Sequence, residues 1–596
     1  MFPSSYSLAE IQRRIDEVQR FLSVTLSIAN AHTVEFYTHD AWNRFVAVPP
    51  QEVLSNVGPR GDQRREPEHS AHDSEQSRTT FGFCSDTNRL VDTRELLQAA
   101  KAHALPGLGV CMSRDELLQA LRGNSSEAGA PGADIDAELV TDEFMNSKKS
   151  HEVKSMSEVV ACLAQRCEVK QVVDLGSGKG YLSSFLSLQY GLRVYGIDSS
   201  STNTHGAQER NRKLKKFSRA YQKHNKDERA QGEAALSPRV ESVDVKPGRD
   251  EDDDVVYVDG VGMESQEEVL VALSEVNPAA EMHSESNPET EELFLSALSV
   301  DALQPTPTRV PPSQLSAEER ERRKRENLER KAQGRTGGGS GVMFSPLTSY
   351  VTAETELREL IDELEEAVMV GLHTCGDLAP STLRMFVAKP ELTAVCSVGC
   401  CYHLLSEEFD PAGQECSLAA CGFPLSRYLR DRSWFCGRNA RMSACLALER
   451  VSHGQGIQME SLFYRAVLHV ILRDHYGSFK SEKRVGNVYS KASSFVDYVR
   501  RALRRLELEE LKLSDGDIQD YHDAYRPRMG EMHAFNLLKV TLAPCIEGLI
   551  LLDRLCYLKE QEDLSFSALV QLFDPLLSPR CYAVVGLKSR EERNSR

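Results

Sequence analysis

The stretch VVDLGSGKGYLS, Val172 to Ser183, constrains this chain more than any other. Two β-branched residues run into an acid, three glycines follow at alternate positions, and an apolar helical pattern comes next. The pattern predicts a strand, a tight turn and a helix start. Glycines at 176, 178 and 180 permit left-handed backbone angles and let a ligand approach the backbone at the carboxyl end of a strand. Strand-like and helical runs alternate through the rest of the ordered chain. An α/β fold around a central, Rossmann-like sheet is therefore expected.

Three ligands compete for the turn. A phosphate-binding loop would follow its lysine with a hydroxyl residue for magnesium. Here Lys179 is followed by Gly180 and Tyr181, and that reading fails. A dinucleotide fold has G-x-G-x-x-G, whereas this chain has G-x-G-x-G. S-adenosylmethionine carries no phosphate and does not require that spacing. The next apolar run, LRVYGIDSS, ends in Asp198. An acid at the end of a second strand can accept hydrogen bonds from ribose hydroxyls. Asp174, at the end of the first, is expected to receive the methionine ammonium, directly or through water. The expected cofactor site is Asp174, Gly176, Gly178, Gly180 and Asp198.

DLGSGKG and GIDSS resemble the first motif and the acidic second-strand motif of class I S-adenosylmethionine-dependent methyltransferases. With GLHTCGDLAPSTLR (371–384) and VGCCYHLLSEEF (398–409), the likeness extends to the methyltransferase-like 25 family. The resemblance implies the cofactor class and a class I methyltransferase sheet, and covers roughly half the chain. It does not supply an acceptor. The HxCG and CCxH features are also similar to parts of a family of tRNA ribose 2′-O-methyltransferases, a hint toward RNA.

His373 and Cys375 follow the apolar run AVMVGL, and Cys400, Cys401 and His403 follow the next run. Ligands bind beyond the carboxyl ends of strands, so both clusters are candidates. His373 and His403 are candidate general bases, because histidine titrates near neutrality. No metal is assigned. The alternative is zinc held by Cys375, Cys400, Cys401 and His403, whose residue types suit it although the spacing is not that of a C-x2-C pair. Asp377 is expected to cap the helix that starts near Ala379 and Pro380, and Asn439 is a candidate polar contact.

Around these motifs, residues 1–150 read as a mostly helical region with disordered loops at about 56–80 and 123–134. Its first helix is expected to cap the main domain, with a lid as the other reading. Residues 151–227 form the first half of the methyltransferase domain and 344–596 the second, with C-terminal helices and a closing strand. Residues 228–343 are a polar, low-complexity insert, expected to be mostly disordered and to recruit protein partners. TAETELRELIDEL is expected to be an amphipathic helix.

The formal charge of −18 excludes a uniformly basic nucleic-acid footprint. Local basic segments remain at Arg210–Lys226 and in YVRRALRRLEL, where phosphates and stacked bases could be met. The 15 cysteines form no secreted framework. No signal peptide or membrane-spanning run is evident, so a cytoplasmic or nuclear location is expected, without membrane association. The reading is a methyltransferase using S-adenosylmethionine, with RNA or protein as acceptor. The alternative is a non-catalytic adenosyl-binding or protein-interaction module.

Overall fold

A computed structural model describes residues 6–57, 81–123, 145–212, 344–409, 421–452, 459–477, 485–486 and 488–589. Its strands are β1 (Cys111–Ser113), β2 (Gln171–Leu175), β3 (Arg193–Asp198), β4 (Phe344–Thr348), β5 (Ala367–Thr374), β6 (Leu392–Gly399), β7 (Leu564–Gln571) and β8 (Tyr582–Lys588). They form one sheet in the order β1-β7-β8-β6-β5-β2-β3-β4. β8 runs antiparallel to β6 and β7, and the remaining neighbours pair in parallel. This is the expected class I methyltransferase sheet, extended by the short edge strand β1.

The central strands are apolar runs because both of their faces are covered. Alternate residues enter different cores. Val172, Val368 and Val370 join Met156, Val159 and Leu163 of the helix Ser147–Cys167. Val173, Met369 and Val395 join Leu383 and Phe386 of the helix Leu378–Ala388 on the other face. From β2 the chain steps outward to β3 and β4, then returns to β5 and β6 on the opposite side. The order thus reverses between β2 and β5, where an α/β sheet opens a crevice beyond its strand ends.

The N-terminal helix Leu8–Asn30 begins in a capping box, with the Glu10 N–H donating to Ser7 Oγ (3.3 Å) and the Ser7 N–H to Glu10 Oε2 (2.7 Å). Ile11, Ile15, Val18 and Leu22 form one fully buried face. That face packs along the long helix Met529–Lys559, so the first helix is part of the core and not a lid. One stretch of the described residues, Asp515–Lys559, contains a window long and apolar enough to cross a bilayer, contrary to the sequence reading. That window is 94% buried inside the protein, and core packing accounts for its composition.

The structure corrects other local expectations. TAETELRELIDEL contains only a four-residue helix, Leu357–Leu360. The Thr355 hydroxyl takes the Thr352 N–H (2.9 Å), and Ile361 turns to extended angles, which ends the helix. β4 was not expected, because FSPLT contains Pro346. A proline is tolerated there because β4 is an edge strand. β7 also went unread, since serines at 565 and 567 interrupt its apolar pattern. Of the loops expected at about 56–80 and 123–134, residues 58–80 and 124–134 lie outside the described residues, as do the insert 228–343 and the basic segment beyond Arg212, while Asn56 and Val57 close the helix Pro50–Val57.

Candidate active site

β2 delivers its chain into a turn in which Gly176, Gly178 and Gly180 have φ of 70°, 55° and 70°. The N–H groups of Gly176 and Ser177 both point at the Ile197 carbonyl, at 2.8 and 3.2 Å, which ties the turn to β3. Gly180 is pressed between strand and helix: a Cβ there would lie 2.7 Å from the Phe344 ring and 3.1 Å from Ala207. Gly178 is different. A Cβ there would meet nothing nearer than the Gly176 carbonyl at 4.0 Å, so this glycine faces open space. Lys179 beside it is exposed.

The two acids divide the work. Asp174 is buried (2% exposed) and accepts a 2.5 Å hydrogen bond from Ser183 Oγ in the following helix. Its carboxylate is a brace beneath the turn. Asp198 is half-buried at the end of β3; its Oδ2 accepts from the Gly178 N–H (3.1 Å) and its Oδ1 from the Ser200 N–H (2.7 Å) and Asn203 Nδ2 (3.2 Å). The acid and the open glycine therefore share one edge. Tyr350, 45% exposed, follows β4 beside them, where the Ser349 N–H donates to the Asp198 carbonyl (3.0 Å). Sequence reasoning missed Tyr350, which carried no local motif.

Burial raises the Asp174 pKa from 3.8 to about 7, against the Ser183 hydrogen bond and with a further upward push from Asp198. The folded protein thus holds a proton that the unfolded chain has lost between pH 3.8 and about 7. Stability from this group is complete below that window and declines as pH rises through it. Asp174→Asn is expected to be more stable relative to wild type at pH 8 than at pH 4.5, in thermal melts without ligand. A difference independent of pH would contradict this.

β5 holds His373 one residue before its end, a non-glycine residue with φ of 64°. Such strained backbone persists where the surroundings enforce it, often at functional sites. Its side chain faces Glu152, fully buried on the helix Ser147–Cys167, whose Oε2 lies 3.0 Å from His373 Nε2. Ser578 Oγ donates to the other carboxylate oxygen at 2.7 Å. Burial opposes the Glu152 charge, but the adjacent His373 imidazole, with Ser578, outweighs it and holds its pKa at about 2. Sequence reasoning missed Glu152. Its signal was an acid on an otherwise apolar helix face with Met156, Val159 and Leu163.

The cysteines of the two clusters converge and the second histidine does not join them. Cys375 Sγ lies 3.0 Å from Cys400 Sγ, which lies 3.5 Å from Cys401 Sγ. His403 is 6% exposed, with its Nδ1 3.7 Å from Cys445 Sγ, outside the group of three. Asp377 occupies the N-cap position of the helix Leu378–Ala388 without capping it; its Oδ1 accepts from the Ser406 N–H (2.8 Å). Asn439 Nδ2 donates to the Asn30 carbonyl (3.1 Å) and so anchors the N-terminal helix. In YVRRALRRLEL, Arg500, Arg501 and Arg504 pair with Asp515, Asp497 and Glu510, which spends much of the charge expected for phosphates.

The methyltransferase-domain family model matches residues 148–408, which span the glycine turn, Asp198, His373 and the three cysteines. The mouse protein "Probable methyltransferase-like protein 25" is 46% identical over 99% of this chain and 98% of its own length. The chain belongs to the methyltransferase-like 25 family. The human protein of the same name is 45% identical over 99% of both chains. No solved structure matches. Membership of the methyltransferase-like 25 family makes this chain a methyltransferase, and the family domain ends just beyond the β6 cysteines. The helices and strands that follow, through β8, complete its sheet.

Proposed function

We propose that S-adenosylmethionine binds along the glycine turn and that an acceptor oxygen or nitrogen is presented at the ends of β5 and β6. The observation that carries this reading is the shared edge of Asp198 and Gly178: an acid held 3.1 Å from the N–H of a left-handed glycine whose missing Cβ leaves open space. That edge, on the β3 side of β2, adjoins the strand-order reversal between β2 and β5, the crevice in which α/β sheets bind their ligands. The residues present fit the group.

When bound, the cofactor supplies a methyl on a positively charged sulfur, already activated for in-line displacement. The protein's task is therefore mainly positioning. Gly178 leaves room, Asp198 offers its carboxylate to ribose hydroxyls, and Asp174 holds the turn through Ser183. Lys179 has no part. His373 takes the acceptor proton. Glu152 faces Nε2 and fixes the ring's tautomer, which leaves Nδ1 as the basic atom. His403 is too enclosed for that role.

Transfer of labelled methyl into fractionated cellular RNA and protein tests this reading. Label is expected in one fraction with wild type and is expected to fall to background with Asp198→Ala. Equal labelling by both proteins would contradict it, and the labelled fraction identifies the acceptor class.

A further inference from the structure

We propose that Cys375, Cys400 and Cys401 form a three-thiolate site for one zinc-class cation, with a fourth position left to an exchangeable ligand. The inference does not rest on cofactor binding at the glycine turn. β5 and β6 pair in parallel with Thr374 opposite Gly399. The next residue of each strand is a cysteine, so the sheet register itself sets Cys375 beside Cys400. Cys401 enters from the turn that follows.

The sulfur spacing suits a metal. All three Sγ atoms lie within 4.8 Å of one another, with two pairs at 3.0 and 3.5 Å. Zinc bound by thiolates at about 2.3 Å in a tetrahedron spaces its sulfurs about 3.8 Å apart, which falls inside that range. The three thiols are free and unbridged. Ordinary core packing explains other cysteines: Cys396, Cys436 and Cys545 are fully buried within the apolar cores. It does not explain a trio that includes the exposed Cys375.

The surroundings match the charge. Three thiolates around a divalent cation leave one net negative charge. The buried guanidinium of Arg554 packs against Gly399, one residue before Cys400, so closely that a Cβ at Gly399 would strike its Nη1. A buried cation beside an anionic centre offsets its desolvation. Behind the site, Cys445 Sγ lies 3.6 Å from the Cys400 carbonyl and supports the chain there. No fourth His, Cys, Asp or Glu among the described residues joins the group. Three protein ligands with one open position is the arrangement of reactive zinc sites, whereas structural sites are closed by four.

Full-length protein purified under reducing conditions should carry about one equivalent of zinc by elemental analysis. The triple variant Cys375→Ser, Cys400→Ser, Cys401→Ser should lose it to background while keeping its melting transition. Should that variant fail to fold, wild type decides alone: protein stripped by chelator and titrated with cobalt should develop a sulfur-to-metal charge-transfer band that saturates at one equivalent. Wild type without zinc and without that band would overturn the site. So would equal zinc content in wild type and a folded triple variant, or a Cys375–Cys400 disulfide in the reduced preparation.

Discussion

His373→Ala is expected to slow methyl transfer about 10²–10⁴-fold, the usual contribution of a positioned base, while cofactor affinity is unchanged. The imidazole stands at the end of β5, away from the Asp198–Gly178 edge in the chain, so its loss acts on the acceptor step. Glu152→Gln separates positioning from structure. Glutamine keeps the size and an acceptor oxygen for His373 Nε2 but removes the charge. A positioning role predicts a lower kcat and an altered pH–rate profile in Glu152→Gln with little change in KM. A merely structural role would leave the pH profile in place. Full activity of His373→Ala would remove the histidine from the chemistry.

The second large effect is on the turn itself, where two neighbouring glycines should respond differently to the same substitution. Gly180→Ala forces a side chain into left-handed backbone, at roughly 1–2 kcal/mol. It also drives a Cβ to 2.7 Å from Phe344, and overpacking adds about 1–3 kcal/mol. Gly178→Ala incurs only the backbone cost, about 1–2 kcal/mol, because its Cβ enters open space. The added methyl instead occupies the room assigned to the ligand. Denaturant unfolding should show Gly180→Ala as the less stable, and binding should show Gly178→Ala as a protein that keeps most of its stability but loses affinity. Equal stability losses would mean that the Phe344 ring moves aside. Unchanged affinity in Gly178→Ala would place the ligand elsewhere.

What the sequence disclosed follows from how local each feature is. The turn and Asp198 were legible because strand, glycines and acid lie in one short segment whose conformation the residue types dictate. β2, β3, β5, β6 and β8 were legible as apolar runs. β4 was hidden by Pro346, which only the knowledge that this strand lies at an edge makes acceptable. Asp174 is legible as an acid at the end of β2, but its burial beneath the turn and its bond from Ser183 depend on the depth of the residue and not on its identity. The His373–Glu152 pair joins the end of β5 to a helix far earlier in the chain. No spacing rule links such residues; only the packing of that helix against β5 and β6 brings them together. The histidines illustrate the same point. His373 and His403 looked equivalent at two strand ends, but a 3₁₀ turn at Tyr402–Leu404 carries His403 into the interior.

Isothermal calorimetry of S-adenosylmethionine against wild type and Asp198→Ala is the most direct measurement of cofactor binding at the turn. Wild type is expected to bind with a dissociation constant in the micromolar range. Asp198→Ala is expected to bind at least about tenfold more weakly, a loss of about 1.4 kcal/mol or more. No heat of binding with folded wild type, or an unchanged constant in the variant, would contradict the placement of the cofactor at the Asp198–Gly178 edge.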